Sequence, residues 1–239
     1  MAIVEVKNLT KDYGEIRAVN GISFDIEEGE IFGLIGPNGA GKTTTLRIVS
    51  TILRKSYGEI TIGGMTVGKD DDKIRQIISY LPEEAGAYKT LTGLGYLDFM
   101  AGFYAESPSQ KKQFIERGIE IASLGERLRN KVSTYSKGMA RKLLLARALM
   151  IMPRLAILDE PTSGLDVMNS IEIRNLIKSY AKEGVTVLLS SHNMLEIEFL
   201  SNRVALIDHG NILDIGTPQF LKERYSAQNL EDVFVEALR

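Results

Sequence analysis

Three glycines, a lysine and two threonines stand within Gly36-Pro37-Asn38-Gly39-Ala40-Gly41-Lys42-Thr43-Thr44. A glycine-rich turn of this kind points backbone N–H groups inward as an anion nest, and a helix opening behind it adds the positive end of its dipole. Lys42 can then reach the β- and γ-phosphates of a nucleotide, and the Thr43 hydroxyl can ligate Mg²⁺. The alternative is a structural glycine turn, which has no need of Lys42. A second chemical signal is the apolar run Leu155-Ala156-Ile157-Leu158 ending in Asp159-Glu160. Ligands of open α/β sheets sit at the carboxyl ends of strands, so Asp159 is placed to bind Mg²⁺ through water beside Thr43. Glu160 reaches further and could act as general base on a water. Read alone, the same pair could be helix-capping acids.

The elements around these residues must hold them. Ile31–Ile35 reads as a buried parallel strand entering the glycine turn, and Thr45–Val49 as the helix leaving it. Alternation and turn signals predict short antiparallel strands such as Ile3–Lys7 and Ile22–Ile26. Gly58–Gly64 reads as a strand and turn, and Ile77–Leu81 as an apolar strand stopped by Pro82. From Thr90 to about Met150 the periodicity is helical. Strand signals return at Leu155–Leu158 and Val185–Leu189, with a helix over Val167–Glu183 between them. The expectation is an α/β fold: a mostly parallel sheet core, preceded by an antiparallel β part and interrupted by a helical insert.

Composition narrows the function. The 239 residues suffice for one large domain or a core with an inserted subdomain. Lys and Arg number 29 against 31 Asp and Glu, a net charge of −2, which leaves no electrostatic footprint for nucleic acid. No cysteine is present, which excludes disulfides and thiolate metal sites. No apolar run is long enough to span a bilayer, and the N-terminus lacks a signal-peptide layout. A soluble, intracellular protein is expected, with any membrane role reached through a partner.

Taken in order, Tyr13, Gly36–Thr44, Pro82-Glu83, Tyr135-Ser136-Lys137-Gly138-Met139, Leu155–Glu160, Ser163-Gly164-Leu165-Asp166 and Ser191-His192 resemble the ATP-binding subunit of ATP-binding cassette (ABC) transporters over essentially the whole chain. The resemblance implies a P-loop, RecA-like core at 1–84 and 151–239, with the helical signature subdomain at 85–150, in one cassette of 1–239. It implies ATP and Mg²⁺ as ligands, with Gly36, Pro37, Asn38, Gly39, Ala40, Gly41, Lys42, Thr43 and Thr44 on the phosphates and Tyr13 stacked on adenine. Thr43, Asp159 and Glu83 are then the metal-side residues, and Glu160, His192 and Lys42 the catalytic ones. His192 would hydrogen-bond the γ-phosphate and hold the water and Glu160 in line. Ser136 caps a helix over Met139–Leu149, and the resemblance implies that Ser136 and Gly138 contact the γ-phosphate held by a second copy. Ser163–Asp166 would lie along the same two-fold interface. His209, in the hairpin-like Asp208-His209-Gly210-Asn211, is given no role.

Two positions depart from the family pattern. The usual Leu-Ser-Gly-Gly-Gln signature reads Tyr135-Ser136-Lys137-Gly138-Met139, and Lys137 could point toward a partner's phosphates or toward solvent. Glu83 stands where the family has a Mg²⁺-sensing glutamine. Both resemble exporter-type variants. Tyr88–Leu97 resembles the segment that receives a coupling helix of a membrane permease, and the tail 229–239 resembles that of drug-, antibiotic- or sodium-efflux ATPases. No long additional regulatory domain is expected. The expected partners are a second ATPase subunit, identical or homologous, and separately encoded integral membrane permeases, at the inner face of the cell membrane. The alternative is a soluble ABC ATPase serving macromolecular assembly or repair, such as iron–sulfur cluster assembly. A P-loop kinase leaves Ser136–Met139, Ser163–Asp166 and His192 unexplained.

Overall fold

The computed structural model describes residues 2–239. A six-stranded sheet forms the centre, in the order β10–β9–β3–β8–β7–β6. Its strands are β3 (Ile31–Ile35), β6 (Ile78–Leu81), β7 (Leu155–Asp159), β8 (Thr186–Ser191), β9 (Arg203–Asp208) and β10 (Asn211–Gly216). All neighbours run parallel except the β9–β10 hairpin. That hairpin turns through His209 and Gly210, both at positive φ, a two-residue connection that matches strand twist.

The β3, β7 and β8 strands are buried along their whole length, because both faces of a parallel sheet are covered. Alternate side chains serve two cores. Ile31, Ile35, Ala156, Leu158, Val187 and Leu189 face one, packed with the helices. Phe32, Leu34, Ile157 and Leu188 face the other. This second core is shared with α1 (Lys42–Val49) and with a four-stranded antiparallel sheet of order β2–β1–β4–β5, made of β1 (Ala2–Tyr13), β2 (Ile16–Glu27), β4 (Tyr57–Ile62) and β5 (Met65–Thr66).

The β1–β2 pair is longer than alternation predicts, 12 residues in each strand. Register shifts at Val6/Leu9 and Leu9/Lys11 carry the pairing past the in-phase stretches. A bulge displaces the inside–outside phase while the ladder continues, so alternation detects only fragments. Ile77 is likewise not the first residue of a strand but the last of α2 (Asp71–Ile77).

Between β6 and β7 the chain is helical: α3 (Gly93–Ala101), α4 (Pro108–Ala122), two short 3₁₀ turns, and α5 (Lys137–Leu149). The α5 helix starts two residues earlier than the apolar pattern indicates, capped by Ser136, whose Oγ accepts the Met139 N–H at 3.2 Å. After β7 come α6 (Val167–Lys182) and, after β8, α7 (Met194–Leu200); α8 (Pro218–Tyr225) and α9 (Leu230–Ala237) close the chain. The parallel registers Ile35↔Ser191, Asp159↔Ser190 and Leu81↔Leu158 bring the carboxyl ends of β3, β8, β7 and β6 to one edge. The glycine turn, Asp159-Glu160, His192 and Glu83 all leave from that edge.

Candidate functional site

The glycine turn is held against its surroundings too closely for other residues. A Cβ on Gly36 would lie 2.0 Å from the Ile207 carbonyl oxygen, and one on Gly41 2.5 Å from that of Ala18. Gly41 also has φ +103, a conformation that L side chains rarely adopt. It precedes α1, whose first-turn N–H groups have no intrahelical acceptor and form an anion-binding end. A shallow cavity of about 140 Å³ follows, lined by Ala18, Asn38 to Thr44, Glu83 and Glu160.

Lys42 is buried within this cavity wall, 5% exposed. Its Nζ donates to the Gly36 and Pro37 carbonyls at 2.7 and 3.0 Å and lies 3.8 Å from Glu160 Oε1. Burial pushes the Lys42 pKa below the ordinary lysine value, while Glu160, Asp159 and Glu83 push it back up. A group so placed gains from any anion brought to the cavity.

Asp159 is 1% exposed and lies at the end of β7. Its Oδ1 accepts from Thr43 Oγ1 at 3.1 Å and from Ser190 Oγ at 2.6 Å, and its Oδ2 accepts from the Tyr80 hydroxyl at 3.4 Å. Burial first, and Asp159 second, push the Tyr80 pKa up, which keeps the hydroxyl a donor. Thr43 and Asp159 are therefore brought together, and Ser190 and Tyr80 orient the carboxylate.

Glu160 is 5% exposed and takes a left-handed backbone, φ 48. For a non-glycine residue this costs about 1–3 kcal/mol and persists only where neighbours impose it. Ser190 supplies one restraint, accepting the Glu160 N–H through both its carbonyl (3.2 Å) and Oγ (3.1 Å). His192, half-exposed just past β8, has Nδ1 2.9 Å from Glu160 Oε1. Glu160 thus stands between Lys42 and His192, a carboxylate turned into the cavity with an imidazole on its outer side.

Glu83 lines the same cavity from the loop after β6, and its Oε1 accepts from Ser163 Oγ at 3.4 Å. Tyr13 is not brought into the cavity lining. It sits exposed at the end of β1 with Lys11 Nζ 4.9 Å from its ring centroid. Ser136 and Gly138 also lie outside the cavity lining of their own chain. The Lys137 side chain is exposed and lies beside Gly164 of the same chain, where an added Cβ would lie 1.9 Å from its Nζ.

Arg141 was invisible to motif reading. It is buried on α5, with Nε donating to the Pro161 carbonyl (2.7 Å), Nη1 to those of Pro82 (3.3 Å) and Glu83 (3.1 Å), and Nη2 to those of Asp159 (3.0 Å) and Glu160 (2.6 Å). The available signal was an arginine three residues after Gly138 and four before Leu145, on the stripe that α5 buries.

A family model described as ABC transporter matches residues 19–163, more than half of the chain. The linearmycin resistance ATP-binding protein LnrL of Bacillus subtilis is 37% identical over 99% of this chain and 76% of its own length. The bacitracin transport ATP-binding protein BcrA of Bacillus licheniformis is 37% identical over 93% of this chain and 72% of its own. Among solved structures, an ATP binding subunit of an ABC transporter superposes with a TM-score of 0.88 at 26% identity, covering 99% of this chain and 100% of that one. A dimeric post-hydrolysis state of the ATP-binding cassette MJ0796, bound to ADP and Pi, gives a TM-score of 0.79 at 28% identity, over 90% and 98%.

Proposed function

The chain belongs to the ABC transporter ATP-binding family, and from that premise we propose that it is the ATPase subunit of an exporter, closing as a dimer on ATP to drive separate membrane permeases. The observation that carries this reading is the convergence of Lys42, Thr43, Asp159, Glu160 and His192 on one edge of the sheet, within 3.8 Å of one another along the chain of contacts Thr43–Asp159 and Lys42–Glu160–His192.

Lys42 exchanges its carbonyl partners for β- and γ-phosphate oxygens, helped by the N-terminal end of α1. Glu160 takes the proton of the attacking water, and His192 steadies Glu160 and the γ-phosphate. Tyr13 stacks on adenine, and Ser136 and Gly138 of a second copy complete the phosphate shell. The Thr43 hydroxyl and the Asp159 carboxylate are hard oxygen donors suited to Mg²⁺, with Glu83 behind them. Mg²⁺ is normally held by one or two carboxylates, waters and substrate phosphates, and Asp159 is the carboxylate that meets the Thr43 hydroxyl here. Bound there, Mg²⁺ supplies neutralisation of the charge that develops on the transferred phosphoryl group.

The cassette comprises 1–239, with 85–150 as its helical part. No helix among the described residues is long and apolar enough to cross a membrane; in this reading a separate permease is the membrane element and the protein works at its cytoplasmic face. An aromatic ladder supports such a partner: Tyr88, Phe99 and Phe103 are exposed and stacked edge-on at 5.6 and 5.0 Å. It runs into a groove of about 990 Å³ between the helical part and the core. Export follows from the resistance and transport names of the relatives, which also favour this reading over iron–sulfur assembly. Purification from detergent-solubilised membrane tests it: a hydrophobic partner is expected to co-purify, and an entirely cytosolic protein on a soluble scaffold contradicts it.

A further inference from the structure

The turn from Asp159 to Pro161 presents three consecutive carbonyl oxygens to one side, an arrangement that the left-handed Glu160 makes possible. Converging carbonyls repel one another and require a cation or several donors between them. Arg141 answers all three with Nε and Nη2, and its Nη1 spends its two N–H groups on the Pro82 and Glu83 carbonyls. A guanidinium has five N–H donors in a fixed plane, and here each has an acceptor. Burial opposes the Arg141 charge, and the nearby Asp159, Glu83 and Glu160 charges favour it.

The location of Arg141 gives this contact a consequence. It lies one turn beyond Gly138 on α5, the helix capped by Ser136. Any rotation or shift of α5 moves the guanidinium, and with it the carbonyls of Glu160 and Glu83. No other described side chain donates to both the Glu160 turn and the segment after β6. We propose that Arg141 is a positioning residue for Glu160, through which the Ser136–Gly138 end of α5 sets the orientation of the base in the same chain. In a dimer whose second ATP rests on Ser136 and Gly138, Arg141 links the two nucleotide sites. This rests on the ATPase reading above.

The test is Arg141→Ala in the full chain, with turnover and nucleotide affinity measured separately. Arg141 does not itself line the phosphate cavity and reaches it only through the backbone carbonyls of Glu83 and Glu160, so affinity for a fluorescent ATP analogue should stay within about twofold, while kcat falls about 10²-fold through misorientation of Glu160. A cavity of about 360 Å³ adjoins the guanidinium, lined by Glu83, Lys137, Arg141 and Ser163 among others. Added guanidinium ion, below denaturing concentrations, should therefore restore part of the variant's turnover and leave the wild type unchanged. Turnover close to wild type overturns the proposal. So does a fall in affinity that parallels the fall in turnover without rescue, which marks a general structural role. If Arg141→Ala does not fold, Arg141→Lys decides: it keeps charge and stem but cannot span both carbonyl sets, so kcat should drop with affinity retained, and wild-type kcat overturns the proposal. Absence of ATP hydrolysis by the wild type counts against the ATPase reading instead.

Discussion

The phosphate cavity and the Ser136–Met139 segment belong to the same proposed site but are built in opposite ways. Around the cavity the three central charged groups are buried and partnered: Lys42 on two carbonyls, Asp159 on Thr43, Ser190 and Tyr80, Glu160 on Ser190 and His192. The segment opening α5 is exposed at Ser136 and Lys137, and its lysine rests on its own chain. The groups of the first region find their partners within a single chain; the exposed start of α5 is the part we propose meets a second chain. Preorganised groups aimed at developing charge carry most of the catalysis, so the two regions should fail differently when altered.

The largest effect is expected at Glu160→Gln. Loss of a general base should lower turnover about 10²–10⁴-fold while nucleotide still binds, and size-exclusion chromatography with ATP should show a persistent dimer. Retained turnover would remove Glu160 from the mechanism. Glycine replacements separate the regions next. In Gly41→Ala the new Cβ meets a backbone carbonyl at 2.5 Å in a positive-φ residue, and nothing can yield. A loss of about 1–3 kcal/mol in thermal or denaturant unfolding, with nucleotide binding, is expected. In Gly138→Ala the three atoms nearest the Cβ all belong to the Asn169 side chain, from 2.8 Å, so the fold should lose less and turnover proportionately more. Equal destabilisation by both would erase the contrast.

These differences explain what the sequence revealed. Gly36–Thr44 and Asp159-Glu160 are contiguous, and their chemistry follows from spacing, so strand, loop and helix could be assigned around them. The partners of Asp159 come from β6, α1 and β8, and no local pattern joins Tyr80, Thr43 and Ser190 to one carboxylate. Arg141 was missed for the same reason, since its acceptors are backbone atoms up to 59 residues away. The left-handed Glu160 follows from those contacts rather than from any preference of glutamate. In the antiparallel sheet, bulges broke the alternation that sequence reading depends on.

Smaller effects sharpen the account of the cavity. Glu83→Gln should shift the Mg²⁺ dependence of hydrolysis more than ATP affinity, because an amide binds the cation less strongly and repels phosphate less; an unchanged Mg²⁺ titration contradicts this. The depressed pKa of Lys42 sets a proton linkage. Below the ordinary value of 10.5 the buried lysine is already losing its proton, and phosphates favour its charged form. ATP binding in that alkaline window should therefore take protons up, which calorimetry in buffers of different ionisation enthalpy can measure. Proton release would reverse the sign and contradict the burial argument.

The central claim is that the cavity of one chain is completed by the Ser136–Gly138 segment of another. The natural chain contains no cysteine, so single thiols can be placed without background. One preparation carries Asn38→Cys and another Lys137→Cys, both exposed positions, each in a Glu160→Gln background to hold ATP. Mixed with ATP and a short thiol crosslinker, the two should give a covalent dimer that neither gives alone and that disappears without nucleotide. A dimer that forms equally without ATP, or no dimer in a mixture that binds ATP, would contradict completion in trans.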